Sequence, residues 1–510
     1  MFDLPEFAPD ISYANFENLP FTDVVENLIP HATGYESVPS FRRIAKKPID
    51  SNILGSFSFV RANDDGDVYN LVGTSTNIYR FGKNPKKYED SIQYFYDISK
   101  DGGYNITDDS EWSFAVFGEY IIAVNPNHPM QILNMDDETW KFKDVPNAPR
   151  AHKVKVWGNY IALINILDPD SHNRDEIAWS GVNNITDWNF TDRASDADRQ
   201  RLYDGGQVLN ATSSENPYIF LRNKIYRGSF NPSSSLVFVF RAINFDGGIK
   251  IADSLIEANG LVFFYSDQGF YKINVDGSIV NIGKNKVNEW VDRLIKKAGS
   301  LNLQGYYAKD STRVYWALKD IYNLNVYGTL LVYDYALDRW SYIKTNVKHI
   351  LNFTSIKYTL DDLDIISNLD ELPASLDSSL WQEDSTVLAA IDNEGYLCSM
   401  TGSPLDARIT IQALSDGNTG MTVFNKFKLG ALNVKYTLNT YTRYGYGIDK
   451  EDPWLPWRVK EEHPAPRSKV ILSPKRARIL KLEFNIKPND KTSKFLINKY
   501  HFEAFPAGLL

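Results

Sequence analysis

Between about residue 46 and residue 404, apolar residues fall in short runs, many of them closed by Gly, Asn, Asp or Pro. Ser113 to Phe117 reads as a strand, Gly118-Glu119 as a turn and Tyr120 to Val124 as the next strand. Asn125-Pro126-Asn127 is turn chemistry, Met130 to Leu133 a third strand and Trp140 to Val145 a fourth. So short a span leaves no room for crossover helices, so these strands pair as antiparallel hairpins. The same cut recurs at Tyr69–Val72 and Asn77–Phe81, at Tyr218–Leu221 and Lys224–Arg227, and at Leu261–Tyr265 and Phe270–Ile273. It is found again at Val314–Leu318, Leu330–Asp334 and Trp340–Ile343, and at Ala389–Ile391 with Tyr396-Leu397.

The pattern repeats in sequence as well as in kind. Phe117-Gly118-Glu119-Tyr120-Ile121-Ile122-Ala123-Val124-Asn125 matches Trp157-Gly158-Asn159-Tyr160-Ile161-Ala162-Leu163-Ile164-Asn165 at an offset of 40 residues. A four-stranded propeller blade takes about 40–45 residues. The expected fold is therefore all-β: a β-propeller of about six blades over residues 46–404. Val287, Trp290, Val291, Leu294 and Ile295 break the pattern with helical spacing, and Gly299 stops it, which predicts a short amphipathic helix between blades.

Charge separates the remaining parts. Residues 421–510 carry 17 Lys plus Arg against 8 Asp plus Glu, so the preceding 420 residues carry −18 of the total of −9. That shift marks residues 405–510 as a second, β-rich platform domain, with residues 1–45 as an N-terminal arm packing on it. Between Asp361 and Asp384 there are eight acids and no Lys or Arg, which reads as an acidic insertion at about 356–386.

Composition narrows the function classes. Aromatic residues reach 14%, which favours strands. The net charge of −9 argues against a protein that wraps nucleic acid on a basic surface. A single cysteine, Cys398, excludes internal disulfides and multi-cysteine metal sites, and it reads as a buried apolar residue. The first residues lack a basic and an apolar region, so no secretory signal is expected, and no apolar run approaches the length of a membrane span.

Catalytic signatures are missing. The chain has no G-x-S-x-G elbow, P-loop, H-E-x-x-H or G-x-G-x-x-G after a strand, and its seven histidines show no ligand spacing. Asp168-Pro169-Asp170-Ser171-His172-Asn173 is faintly like a calcium loop, but lacks the Gly and closing Glu of an EF-hand. Asn63 to Asp67 reads as a hairpin turn. The expectation is a protein without catalytic centre, cofactor or metal.

Three segments carry a family resemblance. The run from Asn27 to Phe41, with Pro30, Gly34, Tyr35 and Pro39, resembles the "N-x-I-P…GY…P-S" opening of podovirus tail nozzle proteins. Ile177 to Phe190, with Trp179, Ser180, Gly181, Asn183 and Trp188, is similar to their "W-S-G-x-N-D-x-T-x-W" segment, although Asn184 stands where Asp is usual. His501 to Gly508 resembles their closing strand. The resemblance, end to end, is to the tail hub or packaged-DNA stabilisation family of short-tailed bacteriophages. It implies a hexameric nozzle beneath the portal and adaptor rings, a channel through which genomic DNA passes without sequence recognition, and a surface that docks tail fibres or tailspikes. It also implies a virion location after synthesis in the host cytoplasm.

Beside the resemblance, Trp179 and Trp188 read as blade-packing indoles, and Gly34-Tyr35 as part of an extended arm. Lys475, Arg476 and Arg478 form the densest basic stretch and are expected at the adaptor-facing or subunit-facing side. Asp361, Asp362 and Asp364 are candidates for a channel gate, because an acidic wall repels duplex DNA where a basic wall would bind it. Two other functions remain open at this point: a propeller glycosidase or lyase acting on host glycans, and a monomeric carbohydrate-binding or scaffold propeller.

Overall fold

Tight turns build the sheets. Phe117 pairs with Tyr120 and Trp157 with Tyr160, so Gly118-Glu119 and Gly158-Asn159 are two-residue hairpins. Their glycines take φ of 55° and 58°, a conformation that such turns demand at the first central position. The computed structural model describes residues 2–11, 21–49, 51–61, 67–82, 94–107, 110–167, 174–192, 194–231, 237–299, 302–309, 311–355, 386–414, 422–431, 434–443, 455–458, 462–464, 470–477, 479–489 and 494–506.

Among these residues, seven antiparallel four-stranded blades form a ring. The first is Ile53–Val60, Val68–Thr74, Ile78–Gly82 and Tyr94–Asp97, and the second Ser113–Phe117, Tyr120–Asn125, His128–Asn134 and Lys143–Asp144. The third is Arg150–Trp157, Tyr160–Leu167, Glu176–Trp179 and Asp198–Arg201. The fourth is Val208–Ala211, Tyr218–Leu221, Ile225–Phe230 and Phe238–Ala242, and the fifth Ile256–Ala258, Leu261–Ser266, Gly269–Ile273 and Ile279–Asn281. The sixth is Leu303–Tyr307, Arg313–Lys319, Tyr327–Asp334 and Arg339–Val347. The inner strand of the seventh, His349–Thr354, packs beside Ile53–Val60 of the first and closes the ring.

The seventh blade exceeds the expected count of about six, because its members are far apart in sequence. Thr386–Ile391 and Leu397–Ser399 follow the acidic insertion, and its outer strand is Arg42–Arg43, on the arm side of the boundary drawn at residue 46. Arg43 lies over the Tyr396 ring at 4.3 Å and pairs with Asp392 and Glu394, both at 2.6 Å. Cys398 is buried in this sheet, and burial pushes its thiol up to about 12. Of the fourth strand expected over Trp140 to Val145 in the second blade, only Lys143–Asp144 pairs, and Trp140 instead turns with φ of 50° and stacks on Tyr69 at 5.7 Å.

The chain ends form two further sheets. One joins Leu28–His31, Gly34–Ser37, Leu496–Pro506, Thr422–Ala431 and Val470–Ala477, with Phe2–Asp3 pairing onto Leu496–Pro506. The other continues the sixth blade: Arg339–Val347 pairs with Val25–Glu26, then come Ala407–Leu414, Ile479–Pro488, Val434–Arg443 and Leu455–Arg458. Along Ile479–Pro488 burial alternates, with Leu480, Leu482, Phe484 and Ile486 inward and Lys481, Glu483 and Lys487 outward, as a half-buried strand requires. Both sheets share one core with the fifth and sixth blades, including Phe427, Tyr500, Leu482, Phe263 and Trp340.

The helix falls where its spacing predicts. Helix α1, Asn288–Ala298, buries Val291 and Ile295 and ends at Gly299, whose φ of 63° caps it.

Candidate functional site

The arm residues singled out by sequence are structural members of the platform. Pro30 pairs with Tyr35 across a tight hairpin, and its carbonyl accepts a hydrogen bond from Arg313 at 3.1 Å. A Cβ on Gly34 would lie 2.0 Å from the Ile497 carbonyl oxygen, so glycine lets the arm approach the C-terminal strand. Tyr35 is fully buried, pairs with Ile497 and donates to the Pro5 carbonyl at 3.4 Å; burial raises its hydroxyl well above the ordinary tyrosine range.

The mid-chain motif forms a self-satisfied loop on the third blade. Trp179 ends the strand Glu176–Trp179, donates to the Asp196 carbonyl at 3.0 Å and packs against Phe238 and Phe240 of the fourth blade. Ser180 accepts from the Ile161 amide at 3.1 Å. At Gly181 a Cβ would meet the Asp187 carboxylate at 2.5 Å. Asn183 takes φ of 50°, and its amide donates to Asn159 at 2.9 Å. The Trp188 indole donates to Ile185 at 2.9 Å. The arm motif and this motif lie on different parts of the molecule and do not converge on one site.

Lys475 and Arg476 lie on Val470–Ala477, the end strand of its sheet, opposite Phe424 and Val423. Arg478, Asp361, Asp362 and Asp364 lie outside the described residues, as do the calcium-like run 168–173 and most of the turn at 63–67.

Sequence reading missed a charged cluster in the propeller's central opening. Lys153, on the inner strand of the third blade, contacts Asp253 just ahead of the fifth blade and Glu111 at 3.1 Å, just ahead of the second. Two residues on, Lys155 reaches Glu257 of the fifth blade at 3.6 Å. The fourth blade separates the third from the fifth, so the pairs to Asp253 and Glu257 span a blade, whereas Glu111 belongs beside the neighbouring second blade. Burial opposes the Lys153 charge, yet the two carboxylates hold its pKa above the ordinary lysine value. Burial, helped by Asp253, pushes Glu111 up to about 7. Burial also opposes the Asp253 charge, but Lys153 keeps its pKa below the ordinary aspartate value. No sequence signal marks the cluster, since Lys153 and Asp253 are one hundred positions apart.

Near the same opening, His349 lies 3.2 Å from the Ser56 hydroxyl. Burial pushes the imidazole down to about 3, which makes it a poor base near neutral pH. Among the described residues no carboxylate holds the ring. The two lysines tie the third blade to the second and the fifth beside the opening.

Neither a family model nor a curated protein matches the chain. Among solved structures, a chain from the crystal structure of a mitotic checkpoint complex is similar at 10% identity, with a TM-score of 0.39, covering 71% of this chain and 93% of that one. A computationally designed protein, Ika8, is similar at 10% identity, with a TM-score of 0.35, covering 71% of this chain and 99% of that one. The blade assignment rests on the strand register and ring closure described above. No described helix is long and apolar enough to cross a membrane.

Proposed function

We propose that the chain is a structural component of a phage particle: one subunit of a ring-shaped tail nozzle of the podovirus type. In this reading six copies continue the DNA channel below portal and adaptor, help retain the packaged genome and dock tail fibres or tailspikes. The observation that carries it, beside the sequence resemblance, is the strand Val25–Glu26. It lies between the outer strand of the sixth blade and Ala407–Leu414, making propeller and platform one continuous sheet. A sheet without a linker suits a load-bearing ring better than a hinged enzyme.

In this reading genomic DNA passes along the axis of the ring, between copies. In that ring the basic strand with Lys475 and Arg476, together with Arg478, would meet the adaptor or a neighbouring subunit. The acids Asp361, Asp362 and Asp364 would face the lumen.

The test is light scattering and negative-stain imaging of the full chain, alone and mixed with the adaptor ring of its particle. The expected result is a six-fold ring with the platform against the adaptor. A chain that stays monomeric with the adaptor and depolymerises a host capsular polysaccharide would overturn the reading in favour of a glycan-degrading propeller.

A further inference from the structure

A cleft of about 710 Å³ opens between the second and third blades. Its volume is that of a small-molecule site rather than a protein groove. Pro126, Pro149, Ile166 and Leu167 give it an apolar lining, and Phe190 adds an aromatic wall. Two guanidiniums complete it. Arg199 lies over the Phe190 ring at 5.8 Å and within 3.5 Å of the buried Glu176 carboxylate, so its orientation is set from two sides. Arg150 begins the inner strand of the third blade and is exposed, and among the described residues no carboxylate pairs with it. Asn147, beside it, holds φ of 64° in the loop between the blades.

The donor set points to one chemistry. A planar guanidinium fork that no described carboxylate pairs with matches a carboxylate. The proline and phenylalanine faces match the C–H face of a saturated ring, and the Asn147 amide can meet a hydroxyl. A bare phosphate or sulfate would leave the apolar lining unused. We infer that this cleft binds an acidic sugar unit, a pyranose carrying a carboxylate, with Arg150 on the carboxylate and Phe190 under the ring. The surface would add glycan contact to a particle protein, and it stands independently of the nozzle reading.

The test is calorimetric or saturation-transfer titration of the full chain with trigalacturonate, and with maltotriose as the neutral control. Binding of the acidic trisaccharide, at least about tenfold weaker in Arg150→Ala and in Phe190→Ala, is expected, since a lost charge-assisted fork is a large part of a small ligand's affinity. Arg150→Ala removes an exposed side chain, and far-ultraviolet circular dichroism checks that the variant is folded. Absence of binding at millimolar trisaccharide, equal binding of maltotriose, or unchanged affinity in Arg150→Ala would overturn the inference. So would tighter binding of an acidic peptide that displaces the sugar, since the cleft would then be a peptide site. Ring formation with the adaptor should be unaffected in every arm, which separates failure here from failure of the nozzle reading.

Discussion

The propeller and the platform are both antiparallel β-structure, but they are assembled from opposite kinds of contact. The first five blades are made of strands consecutive in sequence, joined by short turns, and their cores form between neighbours in the chain. The platform pairs Phe2 with Tyr500, Glu36 with Leu496 and Val25 with Ile409. Local contacts close small loops and form early, whereas pairings across nearly the whole chain bear a larger closure entropy. The sixth and seventh blades lie at the border and share both habits. The sixth is built from local hairpins and extended by Val25–Glu26, whereas the seventh pairs strands on either side of a long insertion and is completed by Arg42–Arg43. The arm is therefore the common fastener of both regions, and the platform forms only when the two chain ends meet.

The largest expected effect follows from that role. Deleting residues 2–45 removes the outer strand of the seventh blade, the strand between blade and platform, and Phe7, Val25, Leu28 and Tyr35 from the shared core. Each large apolar side chain taken from a core costs about 2–5 kcal/mol, and the net stability of a domain is about 5–15 kcal/mol, so the loss exceeds what the fold holds. The chain should become insoluble or protease-sensitive throughout, read by soluble yield and limited proteolysis. A soluble deletion variant with a resistant propeller would show that the blades close without the arm, and that the two regions are more independent than their pairing implies.

The same contrast explains what was legible in the sequence. The repeat of Phe117–Asn125 at Trp157–Asn165 exposed the blades, because a hairpin stores its partner next to itself. The helical stripe from Val287 to Ile295 exposed α1 for the same reason. The seventh blade was hidden, since nothing in Arg42-Arg43 says that it pairs with Cys398 and Ser399. The bridging cluster was hidden likewise: Lys153 and Asp253 are one hundred positions apart, and only the ring brings them together. Trp179 and Trp188 stood out by their residue type, yet their roles as packing and turn-holding groups needed the partners Phe238, Asp196 and Ile185.

Two glycines sharpen the comparison at intermediate size. Gly34 of the platform is required by proximity, with the Ile497 oxygen 2.0 Å from any added Cβ. Gly118 of the propeller is required by conformation: its φ is +55° and nothing lies within 4 Å of its missing Cβ. Gly34→Ala must push two strands apart, at about 1–3 kcal/mol or more. Gly118→Ala meets only backbone strain, about 1–2 kcal/mol. Urea midpoints should fall in both, more for Gly34→Ala, and only that variant should expose the arm to protease. Equal losses with equal protection would mean that the arm hairpin shifts freely and is not gripped by the C-terminal strand.

The smallest effect is a pH slope at the one place where the arm grips a helix. The Asp10 carboxylate accepts the Glu289 and Trp290 amides, both at 2.7 Å, and so caps the N-terminus of α1 from a distant part of the chain. Phe7 braces the same contact, edge-on to Trp290 at 5.6 Å. Burial raises the Asp10 pKa to about 6, against the lowering by the two amides and by Arg293 and with a small push from Glu289. In the unfolded chain the group titrates near its ordinary value of 3.8. Between those values the folded state keeps a proton that the unfolded state releases. This contribution to stability is therefore complete below about pH 4 and disappears as pH rises through about 6. Its size is on the order of 1–3 kcal/mol. Asp10→Asn keeps an acceptor at the cap and removes the titration. The difference in urea midpoint between Asp10→Asn and the unaltered chain should therefore change between pH 4 and 6.5 and stay level above it. Glu111, pushed up to about 7, adds a slope of the same sign, but it is present in both proteins and cancels in the difference. A difference that does not vary with pH would mean that the carboxylate is solvated in solution and that the arm does not hold the helix there.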